Sequence, residues 1–151
     1  MMPASWELSA TKMANIRGRR SEIGTLDGIK ILLIEDNEAT VWGISILLGK
    51  RGCIVKNATS ASDALEIIPE FQPHVMLIDI GLPDMDGCSL AEQIRSRSDS
   101  KAVLIAATGY DDDDTAERIK SAGFVYHLVK PIEFDELYDL LRKINPAEPN
   151  N

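Results

Sequence analysis

The sequence predicts an α/β fold in which five strands and five helices alternate along the chain, a (βα)5 pattern. Two observations predict it. Short apolar runs recur at intervals of about 20 to 28 residues, and the segments between them place apolar residues at helical spacing. Near-continuous apolar strands of this length are typical of a parallel sheet that helices cover on both faces. We therefore expect a doubly wound, parallel five-stranded sheet with right-handed crossovers.

The strands are predicted from five apolar runs, each bounded by polar or turn residues. In chain order they are IKILLI (29–34), CIV (53–55), VMLI (75–78), AVLIAA (102–107) and VYHLV (125–129). The second run is the shortest, and the polar pair Lys56-Asn57 that follows it suggests no function.

The helices are predicted from stripes of apolar residues three and four positions apart. In chain order the stripes are Val41, Ile44, Leu47 and Leu48; Ala64, Leu65, Ile67 and Ile68; Leu90, Ala91 and Ile94; Ala116, Ile119 and Ala122; and Phe134, Leu137, Leu140, Leu141 and Ile144. Ser60 and Asp63 have capping-box spacing before the second helix, with Asp in the usual Glu position. Trp42, on the first helix, is expected to pack rather than to recognise a partner.

The predicted domain covers residues 29–144. Residues 1–28 lack sustained periodicity and include a basic cluster at Arg17, Arg19 and Arg20, so we interpret them as a flexible or partly helical lead or linker. Residues 145–151 contain two prolines and form a tail. Because no second domain is expected after the last helix, the output should be a separate protein.

Composition narrows the classes of partner. The net charge of −8 and the pI near 4.7 argue against direct nucleic-acid binding, which depends on clustered Lys and Arg, and favour a protein or a cation. No apolar run approaches the 18 residues of a membrane span, so we expect a cytoplasmic protein that does not enter the membrane. The two cysteines lie far apart and indicate neither a zinc site nor a disulfide framework.

Chemically capable side chains follow four of the five predicted strands. Glu35 and Asp36 follow the first, Asp79 the third, Thr108 the fourth and Lys130 the fifth. Ligands of doubly wound folds bind beyond the carboxyl ends of the strands, so these five side chains should converge at one edge of the sheet.

Three converging carboxylates repel one another unless a cation offsets their charge. Mg²⁺, or Mn²⁺, suits this site, because these ions take carboxylate and water oxygens and leave room for a phosphate oxygen. Lys130 adds a positive charge and Thr108 a hydroxyl donor. One carboxylate could then act as a nucleophile and form an acyl phosphate.

Four motifs resemble those of response-regulator receiver domains: LLIEDN (32–37), IDIGLPDMDG (78–87), ATG (107–109) and LVKP (128–131). They occur in the family's order and spacing over residues 30–144. One motif alone would be weak, but four at four strand ends are specific. The resemblance implies the flavodoxin-like receiver fold.

The resemblance also implies a role for each acid of the site. Asp79 falls on the phosphoacceptor position and is also a metal ligand. Asp36 matches the direct metal ligand, and Glu35 matches the acid that supports the metal through water. Gly81 matches the residue whose backbone carbonyl completes the metal shell.

The resemblance implies further roles at the last two strand ends. Thr108 matches the hydroxyl that follows the phosphoryl group during switching, and Lys130 matches the family's lysine, with a cis bond to Pro131. His127 occupies the position of the switch aromatic, where many receivers have Tyr or Phe. It could add pH sensitivity, although we favour a half-buried strand residue.

Other acids have simpler interpretations. We expect Asp84 and Asp86 to form the turn after the third strand rather than to bind metal. The run at 111–114, DDDD, is expected to open the fourth helix on a solvated face, where its charge suits the helix N-terminus.

The sequence therefore predicts a phosphoacceptor receiver of a two-component or phosphorelay system. A histidine kinase or histidine phosphotransfer protein would donate a phosphoryl group to Asp79. The domain would catalyse its own phosphorylation and dephosphorylation without further turnover. It would signal to a separate protein, or to a second copy in a homodimer, through the face formed by the fourth helix, fifth strand and fifth helix.

Three alternatives remain open. The chain could be the C-terminal receiver segment of a hybrid histidine kinase, or a pseudo-receiver that binds partners without being phosphorylated. It could also be a phosphatase with an aspartyl-phosphate intermediate. Phosphatases of the haloacid-dehalogenase type carry a second acid two positions after the nucleophile, where this chain has Gly81.

Overall fold

The predicted (βα)5 architecture is confirmed by a computed structural model, which describes residues 26–97 and 100–144. Five parallel strands form one sheet in the order β2-β1-β3-β4-β5. In chain order the elements are β1 (Lys30–Ile34), α1 (Glu38–Gly49), β2 (Ile54–Ala58), α2 (Ala61–Phe71), β3 (Val75–Asp79), α3 (Gly87–Arg97), β4 (Val103–Thr108), α4 (Asp113–Ser121), β5 (Tyr126–Val129) and α5 (Phe134–Lys143).

Helices cover the sheet on both faces, and alternate side chains of each strand enter opposite cores. In β1, Leu32 and Ile34 belong to the core beneath α2, α3 and α4. Ile31 and Leu33 belong to the core beneath α1 and α5. Every residue of β3 is buried, which explains why the sequence of this strand is continuously apolar until Asp79.

The second strand is longer than its sequence pattern predicts. It continues through Lys56 and Asn57 to Ala58, and its exposed and half-buried residues alternate until the buried Ala58. The reason is its position at the edge of the sheet, where one side of the strand faces solvent and tolerates polar side chains.

Side-chain caps fix the starts of three helices. Asn37 accepts a hydrogen bond from the backbone of Thr40 at the start of α1, and Asp112 does the same for Thr115 at α4. At α2, Ser60 accepts from the backbone of Asp63, as the capping-box spacing predicts. The Asp112 cap confirms that the acidic run opens the fourth helix.

The interpretation of Asp84 and Asp86 as turn residues is incomplete. The two Asp84 carboxylate oxygens accept hydrogen bonds at 2.9 and 3.0 Å from the first backbone amides of α2. Asp86 accepts at 2.7 Å from the backbone of Cys88 and forms an ion pair with Arg118 of α4. The loop after β3 is thus tied to three helices.

The packing prediction for Trp42 is wrong, because 70% of its surface is exposed on α1. Leu26, by contrast, is fully buried in the core beneath α1 and α5.

The basic cluster of the lead and the predicted tail lie outside the described residues. Within the described ranges, no helix is long and apolar enough to cross a membrane.

Candidate functional site

The site lies where β1, β3, β4 and β5 end on the same edge of the sheet. Asp79 and Thr108 are the last residues of β3 and β4, and Glu35 and Lys130 directly follow β1 and β5. Because β3 is the central strand, the other strand ends flank Asp79 on both sides. The convergence predicted from the sequence is therefore present.

Three carboxylates form a cluster at this edge. One oxygen from each of Glu35, Asp36 and Asp79 lies within 4.8 Å of the others. Glu35 and Asp79 are buried, whereas Asp36 is exposed at the mouth of the site. A set of three carboxylate oxygens with one open side suits a hard divalent cation such as Mg²⁺, which takes oxygen ligands and keeps several waters.

Lys130 partly compensates this negative charge. Its Nζ lies 3.0 Å from Glu35 Oε1 and 3.0 Å from Asp79 Oδ1. One ammonium group therefore bridges two buried carboxylates. A single positive charge against three acids leaves the cluster with an excess of negative charge, which a divalent cation would offset.

The protonation equilibria of the cluster reflect both burial and charge. Burial raises the pKa of Glu35, and the hydrogen bonds from Asn37 and Lys130 only partly oppose this effect. Burial alone would lower the pKa of Lys130, but the hydrogen bonds and charges of Glu35 and Asp79 together raise it. Lys130 thus stays positively charged next to Asp79.

Asp79 is held by backbone groups of its own loop. The N–H of Gly81 donates to Asp79 Oδ1 at 3.1 Å, and the N–H of Ile80 donates to the carbonyl of Ala107 in β4 at 3.0 Å. Gly87 approaches the same backbone so closely that a Cβ there would lie 2.6 Å from the Asp79 carbonyl oxygen. A side chain at position 87 would therefore displace the Asp79 backbone.

Thr108 and Lys130 are linked through the backbone. The N–H of Lys130 donates to the carbonyl of Thr108 at 2.7 Å, and the Lys130–Pro131 peptide bond is cis. The Thr108 side chain is buried, and its Oγ1 accepts a hydrogen bond at 3.1 Å from the backbone of Tyr110. The hydroxyl oxygen is therefore held by the backbone of its own loop.

His127 lies apart from the acid cluster. It pairs with Ala106 in the β4–β5 ladder and is half-buried, in agreement with the favoured interpretation. Its Nε2 lies 3.9 Å from an oxygen of Asp111 in the loop before α4.

One residue near the site was missed by sequence reasoning. The Asn57 side-chain NH2 lies within hydrogen-bond distance of the backbone carbonyls of Leu33, Glu35 and Ala58 and shares its two hydrogens among them. Its contacts depend on the register of β1 against β2. A polar residue interrupting the end of a strand was the available signal.

Comparison with known proteins agrees with this geometry. Residues 31–142 match the family model of the response regulator receiver domain. The chain is 30% identical over 125 residues to sporulation initiation phosphotransferase F of Bacillus subtilis, covering 80% of this chain and 97% of that protein. It is also 33% identical over 127 residues to the sensor protein TorS of Escherichia coli, covering 83% of this chain but only 14% of TorS.

Solved structures of receivers have the same fold. The BeF3-activated N-terminal receiver domain of RstA from Klebsiella pneumoniae superposes with a TM-score of 0.72 at 25% identity, over 78% of this chain and 99% of the other. The chemotaxis response regulator CheY4 of Vibrio cholerae gives a TM-score of 0.73 at 22% identity, over 78% and 98%. With the matched family model and the convergent strand ends, these comparisons show that the chain belongs to the response regulator receiver domain family.

Proposed function

We propose that the chain accepts a phosphoryl group from a phosphohistidine onto Asp79 and passes the signal to a separate protein. The observation that supports this most directly is the position of Asp79, at the end of the central strand, within 4.8 Å of Glu35 and Asp36 oxygens and 3.0 Å from Lys130 Nζ. The phosphoryl donor would be a histidine kinase or a histidine phosphotransfer protein, and the reaction would occur in the cytoplasm.

In the proposed reaction a carboxylate oxygen of Asp79 attacks the phosphorus atom, and the phosphorus–nitrogen bond to histidine breaks. Lys130 and the N–H of Gly81 both contact Oδ1, so we assign the attack to Oδ2. Histidine leaves with the bonding electron pair and takes up a proton. Hydrolysis, or transfer to another histidine, later releases the phosphoryl group from the acyl phosphate.

Glu35, Asp36 and Asp79 would hold the cation, and the Gly81 carbonyl is the proposed backbone ligand. Mg²⁺ would supply positive charge that offsets these carboxylates and the phosphoryl oxygens. Lys130 remains close enough to shift from Asp79 to a phosphoryl oxygen. Thr108 would follow by donating its hydroxyl hydrogen to an oxygen of the phosphoryl group.

Movement of Thr108 would reach the partner surface through the loop before α4. Tyr110 is 71% exposed in this loop, and Val125 and Tyr126 are exposed at β5. Exposed aromatic and apolar side chains are typical of protein contact surfaces. We therefore place the output contact, with a separate protein or a second copy, on the face formed by α4, β5 and α5.

The decisive experiment is labelling with acetyl phosphate, followed by intact-protein mass spectrometry. We expect one hydroxylamine-sensitive phosphoryl group per chain with Mg²⁺ and none with EDTA. Asp79→Ala should abolish labelling. As a control, Asp84→Ala removes an acid of the same loop that lies outside the cluster, and this variant should still be labelled. Labelling that survives Asp79→Ala would exclude Asp79 as the acceptor.

The same preparation separates the alternatives. A pseudo-receiver would remain unlabelled under all these conditions. A turnover phosphatase would release more than one equivalent of phosphate from a phosphomonoester. The chain matches 97% of phosphotransferase F and 14% of TorS, and we keep both a separate receiver and a receiver within a hybrid kinase as candidates. Phosphotransfer from separate kinase and phosphotransfer proteins tests whether the chain accepts a phosphoryl group from another protein.

A further inference from the structure

The Asn57 side chain lies at the end of β2 and contacts the backbone that carries two acids of the site. Its Nδ2 lies 2.9 Å from the carbonyl oxygen of Leu33, 3.2 Å from that of Glu35 and 3.1 Å from that of Ala58. One amide group therefore joins the ends of β1 and β2 at the point where β1 leads into Glu35 and Asp36.

The Asn57 contact lies at the end of the β1–β2 ladder. The last residue pair of the ladder is Ile34 with Ala58, and the N–H of Glu35 donates to the Ala58 carbonyl at 2.9 Å. The next carbonyl, that of Glu35, receives the Asn57 amide. A side chain thus extends the hydrogen bonding by one peptide beyond the strand pairing.

Fixing this carbonyl fixes the peptide plane between Glu35 and Asp36, because the peptide unit is planar. The plane sets the directions in which both side chains leave the backbone. The Glu35 carboxylate is held independently, by the N–H of Asn37 at 3.1 Å and by Lys130 at 3.0 Å. The Asp36 carboxylate is exposed, so its direction depends more on the backbone that Asn57 holds.

We propose that Asn57 is a positioning residue for divalent-cation binding, which orients Asp36 through the Glu35–Asp36 peptide. This inference rests on the proposed Mg²⁺ site. Residues that orient metal ligands through hydrogen bonds typically change metal affinity 10–100-fold, roughly, when they are replaced. A purely structural role would instead lower stability and leave the affinity of the folded protein unchanged.

The test compares Asn57→Ala and Asn57→Leu with Val55→Ala, a control on the same side of the same strand that loses apolar packing but no hydrogen bond. Leucine is close to asparagine in size, so Asn57→Leu keeps the strand packed if the alanine variant fails to fold. Binding of Mg²⁺ is measured by tryptophan fluorescence, to which Trp42 contributes from a groove shared with Asp36 and Asn57.

We expect the Kd for Mg²⁺ to rise about tenfold in both Asn57 variants and to stay within about twofold of wild type in Val55→Ala. Labelling by acetyl phosphate should recover to nearly the wild-type rate at saturating Mg²⁺, because Asp79 itself is unchanged. Unchanged Kd values in the Asn57 variants, or an equal rise in Val55→Ala, would overturn the inference alone. A wild-type protein that binds no Mg²⁺ would overturn the proposed function and this inference together.

Discussion

Substituting Gly87 by alanine should disturb both the fold and the site. Gly87 begins α3, and its N–H donates at 2.8 Å to the carbonyl of Ile80. An added Cβ would lie 2.6 Å from the Asp79 carbonyl oxygen and 2.7 Å from the Ile80 Cα. The nearer contact is about 0.8 Å shorter than an ordinary contact of 3.4 Å. Both opposing atoms belong to the backbone, so no side-chain rotation relieves the clash.

Overpacking of this kind costs about 1–3 kcal/mol. We expect Gly87→Ala to lower the free energy of unfolding by that amount in urea denaturation, and to lower Tm by several degrees. The displaced atoms belong to Asp79 and Ile80, so acetyl-phosphate labelling should also slow at saturating Mg²⁺.

Gly43 provides a matched control. It lies inside α1, and an added Cβ there would meet nothing within 4 Å. Gly43→Ala should therefore stabilise the protein by about 0.5–1 kcal/mol, through helix propensity alone. A Gly87→Ala variant that is as stable as Gly43→Ala, or whose Asp79 is labelled at the wild-type rate, would contradict the predicted clash.

Three further predictions concern charge and burial. Lys130→Met should lower the free energy of unfolding by roughly 1–3 kcal/mol in EDTA, which is less than for a fully buried ion pair because Lys130 is one-third exposed. Mg²⁺ should restore part of this loss. A variant as stable as wild type in EDTA would contradict the prediction. Hydrogen bonds from the α2 backbone lower the pKa of Asp84, so its contribution to stability is complete above the ordinary value of 3.8 and is lost as the pH falls through the lowered pKa. Urea denaturation between about pH 5 and pH 3 should accordingly show a weaker acid dependence for Asp84→Ala than for wild type. Burial raises the pKa of Cys53 to about 11. A thiol reagent should therefore modify Cys53 slowly near pH 8 in the native protein and rapidly once urea unfolds the chain. Rapid modification of Cys53 in the native protein would contradict the burial of this thiol.

Much of the fold was predictable because burial dictates the sequence of the central strands. β3 is buried on both faces, so its residues must be apolar, and the polar Asp79 marks the point where the strand leaves the core. The end of β2 was not predictable in this way, since an edge strand tolerates the polar residues Lys56 and Asn57.

The convergence of the site was predictable for a topological reason. Parallel strands end on the same edge, so the residues after them meet whatever their separation in sequence. Contacts between side chains of distant elements were not predictable. The ion pair of Asp86 with Arg118 joins residues 32 positions apart, and the exposure of Trp42 depends on how α1 sits on the sheet.

The strand order has a consequence for how the molecule opens. β3, which ends in Asp79, is paired on both sides, whereas β5 is a four-residue edge strand with exposed and half-buried positions. Backbone amides of β3 should therefore exchange with deuterium only on global unfolding, and those of β5 through local fraying. The carboxylate proposed to accept the phosphoryl group is thus anchored in the part of the domain that we expect to exchange most slowly, while the surface proposed for output belongs to the edge expected to open more easily.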